Sequence, residues 1–169
     1  KVLVTYPTRE EELQVLDLMA SSAKPPETSP VTTPEQVAAS RDLVNQIYID
    51  DAVRGYIVDL VRATRFPETV DVKLRGLIRA GASPRATINL ALAARANAFM
   101  HHRSFVTPQD IKDLAHDILR HRILLSYEAE AENISTDDDI VHILTKVPEP
   151  WRQEGDESGP PLNLSAPRG

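Results

Sequence analysis

The stretch that decides the fold is Gly81-Ala82-Ser83-Pro84-Arg85-Ala86 together with the Ala-rich run that follows it to Met100. Ser83 is a favoured N-cap residue, and Pro84 suits the first helical position, where its missing N–H would be unpaired in any case. The apolar residues after them fall on nearly every face of a helix, which is typical of a helix buried among others. The stretch therefore predicts a central helix that begins at Ser83-Pro84.

Helix-start signals recur on both sides of this stretch. Thr8 with Glu11 and Thr33 with Gln36 have the spacing of a capping box, and they predict helices over about 9–20 and 34–47. Asp50 or Asp51 can cap a third helix that ends near Phe66-Pro67. Thr107-Pro108 begins a helix beyond the central one, and Ser135 or Thr136, followed by three Asp residues, begins a short final one.

Two of these helices carry a clean apolar stripe. Residues spaced 0, 3, 4, 7 and 8 along a helix lie on one face, so they predict a side that packs against a core. In the helix capped by Asp50 or Asp51, the stripe is Val53, Tyr56, Ile57, Leu60 and Val61. In the helix that begins at Thr107-Pro108, it is Ile111, Leu114, Ala115, Ile118 and Leu119. The chain is therefore predicted to be mainly α, a helical bundle.

The two ends of the chain have a different composition. Val2-Leu3-Val4 is apolar, with two β-branched Val residues, and is followed by Pro7, which predicts a short extended N-terminal segment leading into the first helix. Residues 148–169 contain five Pro and three Gly, and they predict a disordered, flexible C-terminal tail. Because the chain begins on an apolar run without Met, we expect it to be a fragment or a processed product.

Composition narrows the classes of function. The 169 residues include no Cys, so disulfide frameworks, thiolate metal clusters and thiol nucleophiles are excluded, and a reducing, cytoplasmic setting is expected. The formal net charge of -6 disfavours a general nucleic-acid coat, whose affinity comes from clustered Lys and Arg. No apolar run approaches the roughly 20 residues that span a bilayer.

Arg85 is the leading candidate for a functional residue. It lies in the first turn of the central helix, where unpaired N–H groups and the helix dipole already favour an anion. The backbone N–H groups of the turn that follows Ser83 and Pro84, together with the guanidinium of Arg85, suit the binding of a phosphate. Residues 60–86 also hold six basic side chains against two acids: Arg62, Arg65, Lys73, Arg75, Arg79 and Arg85 against Glu68 and Asp71. The alternative, with equal standing at this point, is that Arg85 pairs with a carboxylate of its own chain.

A complete nucleotide-hydrolysing enzyme needs more than this. No Gly in the chain is followed by Lys, so the G-x-x-x-x-G-K-[ST] phosphate loop is absent, and so is an acidic metal-holding strand. Any nucleotide chemistry would have to be completed by another domain, and we expect this chain alone to be inactive.

The remaining polar residues are weaker candidates. The five His residues have no i, i+4 pair of the kind that forms a helical zinc face, and they are interpreted as surface or core residues. Asp137-Asp138-Asp139 lacks the alternation and the Gly of a calcium loop and is interpreted as a run of helix-start acids. Ser83 has no evident base and is interpreted as an N-cap.

In order along the chain, several segments resemble the C-terminal helical lid of AAA+ ATPases of the MoxR type. The matching segments span about residues 1–146: Tyr6-Pro7-Thr8-Arg9-Glu10-Glu11-Glu12, residues 56–65, Gly81-Ala82-Ser83-Pro84-Arg85-Ala86, Phe105-Val106-Thr107-Pro108-Gln109-Asp110-Ile111, and Leu119-Arg120-His121-Arg122-Ile123-Leu124-Leu125. Any one of these segments alone would be weak evidence of the resemblance, but their occurrence in this order is specific. The tail after Pro148 resembles nothing in the family.

This resemblance implies a site and its ligand. Arg85 takes the place of the sensor-two arginine, which reaches from the lid to the γ-phosphate of ATP bound, with Mg, on a preceding αβ core domain. Tyr6-Pro7 would lie at the hinge between domains, near the adenine, although core packing of Tyr6 is as compatible with the sequence. Arg65 is a second candidate for the same cleft or for the subunit interface. The implied organisation is a hinge over 1–7, a lid over 8–147 and a tail over 148–169.

The resemblance also implies partners. These are the AAA+ core of the same protein, neighbouring subunits of a homo-oligomeric ring with chaperone-like activity, and a protein with a von Willebrand factor A domain. The core would supply the Walker A and Walker B motifs and the arginine finger, none of which this chain contains. Two alternatives stay open: a helical nucleic-acid-binding domain that uses residues 60–86, and a helical protein-interaction module in which Arg85 is replaceable.

Overall fold

A computed structural model describes residues 1–2, 4–20 and 27–150. In this part of the chain the fold is mainly α, as predicted. The helices are α1 (Arg9–Met19), α2 (Pro34–Gln46), α3 (Asp51–Ala63), α4 (Pro84–Met100), α5 (Pro108–Leu119), α6 (Tyr127–Ala131) and α7 (Thr136–Lys146).

The predicted helix starts are confirmed at the level of individual hydrogen bonds. At four helices the N-cap side chain accepts from the N3 backbone while the N3 side chain accepts from the N-cap backbone, a reciprocal arrangement that satisfies two otherwise unpaired donors. These capping boxes are Thr8 with Glu11, Thr33 with Gln36, Thr107 with Asp110 and Ser135 with Asp138. Asp50 caps α3 by accepting from Ala52 N at 2.8 Å.

The core lies where the two stripes predicted it. All five stripe residues of α3 are buried, and in α5 Ile111, Ala115 and Leu119 are buried while Leu114 and Ile118 pack against the core. α4 packs against α2, α3 and α5. This agrees with the predicted central position, although not every apolar face of α4 is covered, since Ile88 and Leu92 are 59% and 48% exposed.

The end of α3 also differs from the prediction. α3 ends at Ala63 rather than near Phe66-Pro67. Thr64 is completely buried, its hydroxyl donates to Val61 O at 2.7 Å, and its Oγ1 accepts from Ala82 N at 2.9 Å. The chain then passes through two 3₁₀ turns, Pro67–Thr69 and Val72–Leu74. A contact 18 residues away in sequence therefore fixes this helix end.

A small antiparallel ribbon was not predicted. β1 (Ile78–Ala80) pairs with β2 (Leu124–Leu125), with an irregularity between Ile78 and Ala80. Ser126 N donates to Leu77 O at 2.8 Å and extends the pairing. The ribbon ties the segment before α4 to the segment between α5 and α7.

The described N-terminal part contributes no buried side chain from its extended segment or its two helices, although α2 contacts α4 and the Lys1 amine donates to Asp117 O at 2.9 Å. Residues 1–2 and 4–8 form neither helix nor strand and are exposed, and neither α1 nor α2 contains a buried residue. The predicted tail lies outside the described residues from position 151 onward. Among the helices that the structure describes, none is both long enough and apolar enough to cross a membrane.

Candidate functional site

The N-terminus of α4 is held against the end of α3 by an unusually close backbone contact. A Cβ added to Gly81 would lie 2.1 Å from Thr64 O and 2.6 Å from Arg65 N. No side chain fits in that space, so only Gly permits this approach. Together with the Ala82–Thr64 hydrogen bond, the contact brings the backbone of Arg65 next to the segment that leads into Arg85.

Arg85 is exposed in the first turn of α4 and has no partner in the part of the chain that the structure describes. No carboxylate pairs with it and no acceptor binds its guanidinium, so pairing with a carboxylate of the same chain is excluded for the described residues. The side chain is therefore free to meet an anion from outside.

The other basic side chains of residues 60–86 share this property. We call the six side chains the basic segment: Arg62, Arg65, Lys73, Arg75, Arg79 and Arg85. All six are exposed, and none forms an ion pair with a described residue. Arg62 contacts an aromatic ring, with its guanidinium 5.8 Å from the centre of the Phe66 ring. Of the two nearby acids, Asp71 already binds His142 and Lys146.

Ser83 occupies the N-cap position of α4, as interpreted from the sequence, but its side chain does not take part in capping. Its backbone is extended, at φ -73° and ψ 166°, yet its hydroxyl makes no capping hydrogen bond. Pro84 has no N–H to satisfy. The backbone donors at this helix end are therefore left without a side-chain acceptor, unlike those of α3 and α5.

Tyr6 and Pro7 lie elsewhere in the architecture. Tyr6 is 95% exposed, which excludes core packing as its role in the described structure. No hydrogen bond among the described residues joins Tyr6 or Pro7 to Arg85. The structure thus brings Ser83, Pro84, Arg85 and the backbone of Arg65 together, and it leaves Tyr6-Pro7 on the exposed N-terminal segment.

Near the C-terminal end of α4, by contrast, the charged side chains are paired within the chain. Arg103 donates through two nitrogens to Asp110, at 2.7 and 2.6 Å, and Asn97 Nδ2, Thr107 N and Thr107 Oγ1 donate to the same carboxylate, each at 2.8 Å. Burial alone would raise the pKa of Asp110, but the Arg103, Thr107 and Asn97 donors outweigh it and lower the pKa to about 2. This network is complete without any outside group.

The three consecutive Asp residues divide into three roles. Asp138 completes the capping box of α7, as interpreted from the sequence, and Asp137 accepts from Arg120 Nε at 2.8 Å and lies 2.9 Å from His116 Nδ1. Asp139 is 2% exposed, and its Oδ2 is buried with no hydrogen-bond partner. The periodicity of α7 places position 139 toward the core, and that was the available signal for its burial. No group of His, Asp or Glu among the described residues is arranged to hold a metal ion.

Comparison with known proteins gives a consistent picture. The family model described as "AAA lid domain" matches residues 75–143. Chaperone MoxR1 of Mycobacterium tuberculosis is 32% identical over 148 residues, which cover 87% of this chain and 39% of that protein. Uncharacterized protein YeaC of Bacillus subtilis is 36% identical over 156 residues, which cover 89% of this chain and 44% of that protein.

A solved structure agrees with the sequence relatives. The crystal structure of a "putative ATPase" from Cytophaga hutchinsonii superimposes with a TM-score of 0.82 at 40% identity, covering 87% of this chain and 45% of that one. The chain thus spans less than half the length of each of these relatives. The matched family model contains α4, the basic residues from Arg75 to Arg85 and most of α7. The chain is therefore identified as carrying the AAA lid domain of the MoxR family.

Proposed function

We propose that this chain is the lid module of a MoxR-type AAA+ ATPase and that Arg85 is its sensor-two arginine, directed at the γ-phosphate of ATP on a separate αβ core domain. The observation that carries the proposal is the unpaired state of Arg85 at an uncapped helix N-terminus. A first-turn cation opposes the helix dipole, so an anionic partner from outside the chain would resolve an unfavourable arrangement. A planar guanidinium next to backbone donors suits a phosphate group.

The other site residues take supporting roles in this proposal. Ser83 and Pro84 set the backbone of the phosphate-facing turn, and Arg65, held next to it by the Thr64–Gly81 contact, serves the same cleft or a neighbouring subunit. Tyr6-Pro7 forms the hinge to the core, within residues 1–7, and residues 8–147 form the lid. Bound ATP, with Mg held by the core, would supply the phosphoryl group, and Arg85 would stabilise charge on its oxygens.

The proposal extends to the assembly. Neighbouring subunits of a homo-oligomeric ring would be coupled through the lid in chaperone-like remodelling, in the cytoplasm, beside a partner with a von Willebrand factor A domain. Exposed Ile88 and Leu92 on α4, and the apolar residues of α1, leave surface for such contacts.

Replacement of Arg85 in the full-length ATPase tests the proposed site. Arg85→Ala should lower ATP turnover by about tenfold or more, because arginines that act on phosphoryl transition states are worth about 10³–10⁵ in rate and a sensing arginine is less central. Arg85→Lys should rescue poorly, since it keeps the charge but loses the planar fork. Steady-state hydrolysis and thermal unfolding are measured together.

Arg79→Ala is the matched control, because it removes an exposed and unpaired arginine from the same segment without touching α4. Turnover within about twofold of wild type is expected for it. Wild-type turnover in both Arg85 variants would remove the sensor role. A large fall in melting temperature would assign Arg85 to the fold instead.

A further inference from the structure

A cavity of about 670 Å³ lies between α6, α7 and the segment that leads into β1, and Arg85 is not among the residues that line it. Four carboxylates line it, together with two exposed basic side chains: Glu128, Glu132, Asp138 and Asp139, with Lys73 and Arg75. No ion pair joins any of the four carboxylates to a described basic residue. His142 also lines the cavity, and four carboxylates against two basic side chains and this His leave the wall with an excess of acidic groups.

Asp139 distinguishes this cavity from an ordinary acidic surface. It is 2% exposed, and its Oδ2 has no hydrogen-bond partner, although nearly all buried polar atoms in native proteins have one. Desolvation raises the pKa of the Asp139 carboxyl. A buried carboxylate without a donor is destabilising, and a donor from outside the described chain would remove that cost.

The apolar part of the cavity wall indicates the shape of that donor. Leu74, Leu77 and Ile134 line the cavity beside the carboxylates. Lys and Arg side chains combine a charged head with an apolar stem, and they commonly place the stem along apolar surface. No described cluster of His, Asp or Glu is arranged to hold a metal ion, which favours an organic cation.

We infer that this cavity is a receptor for a single Lys or Arg side chain of a protein partner, with the ammonium or guanidinium group bound by Asp139 and the alkyl stem against Leu74, Leu77 and Ile134. The inference concerns a site separate from Arg85 and does not depend on nucleotide binding.

Agmatine, a four-carbon chain with a guanidinium at one end and an ammonium at the other, is the probe for this site in the 169-residue chain. Calorimetric titration should give saturable binding that Asp139→Asn weakens by about tenfold or more, because a charge-assisted hydrogen bond is lost. Asp59→Asn, at an exposed position of α3, makes the same change of charge elsewhere and should leave the affinity within about twofold. Acetate should not bind. Absence of saturable agmatine binding, or equal binding by Asp139→Asn, would overturn the inference.

A stability measurement separates a functional role of Asp139 from a structural one. Asp139→Asn should not lower the melting temperature, since it removes an unpartnered buried charge. A marked fall with unchanged agmatine affinity would assign Asp139 to folding.

A second measurement identifies the source of the bound side chain. Sedimentation of the chain shows whether that source is a second copy, because self-association that agmatine and Asp139→Asn both abolish identifies one. If the chain is monomeric, binding of acetyl-Ala-Arg-Ala-amide that requires Asp139 identifies a separate protein. Failure of both arms contradicts the inference.

Discussion

The two ends of α4 differ in how their charged groups are satisfied. At the C-terminal end, Asp110 accepts hydrogen bonds from Arg103, Asn97 and Thr107, and it is 2% exposed. At the N-terminal end, Arg85 is exposed with no partner in the described chain, and Ser83 makes no capping bond. Interactions completed within the chain stabilise a fold, whereas donors left open at a fixed position suit a partner. One helix thus joins a structural end to a proposed functional end.

Loss of Asp110 should have the largest effect on stability. Asp110→Ala leaves Arg103 half-buried and unpaired and removes the acceptor for Asn97 and Thr107, and breaking a pair of this kind costs about 3–5 kcal/mol. Urea unfolding of the chain measures the free energy. Arg85→Ala in the same chain should change it by less than about 0.5 kcal/mol, because an exposed side chain with no contact is lost. Equal losses at both positions would contradict the contrast between the two ends.

The pH dependence of stability should differ between the two ends in the same way. The folded pKa of Asp110, about 2, lies below the value of an unfolded Asp, so its contribution is present above about pH 4 and is lost as the pH falls through the folded value. The stability advantage of wild type over Asp110→Asn should therefore shrink by about 2 kcal/mol between pH 5 and pH 2.

The curve of Arg85→Ala provides the comparison for this measurement. It should run parallel to that of wild type over the same range, because no described carboxylate is paired with Arg85. Unfolding free energies from urea titrations at fixed pH values give both curves. A constant difference between wild type and Asp110→Asn would show that the network around Asp110 does not hold it ionised.

The N-cap residues of α4 and α5 should differ in their contribution to stability, and this is the smallest of the expected effects. Thr107 accepts from Asp110 N and donates to the Asp110 carboxylate, so Thr107→Ala should cost about 1 kcal/mol or more. Ser83→Ala should cost no more than a few tenths, because the Ser83 hydroxyl caps nothing. Thermal unfolding of the two variants side by side measures the difference. A cost at Ser83 equal to that at Thr107 would indicate a capping bond in solution.

The sequence predicted what local chemistry determines. The capping boxes at Thr8 and Thr33, the cap at Asp50 and the buried stripe of α3 follow from residue types and spacing within a few turns, and the structure confirms them. The helical class followed from these signals.

What the sequence did not predict depends on distant contacts. α3 ends early because Thr64 binds Ala82, and the ribbon pairs Ile78 with Leu125, far along the chain. In the candidate site, residue types could not decide whether Arg85 pairs with a carboxylate of its own chain; that required the position of every acid. The periodicity of α7 could indicate that Asp139 is buried, but its lack of a donor depends on distant residues in the same way. The hinge assigned to Tyr6-Pro7 stays a prediction.

The contact between Gly81 and Thr64 has a mechanical consequence. Because backbone meets backbone there, with no side chain to deform, the start of α4 and the end of α3 form a stiff corner rather than a soft joint. α4 contains 17 residues and is about 25 Å long, so it acts as a lever about that corner. A tilt of about 5° at Arg85 would move the far end of a helix of this length by about 2 Å. Near that far end Asn97 donates to Asp110 of α5, so the network around Asp110 would pass the displacement to α5 instead of absorbing it.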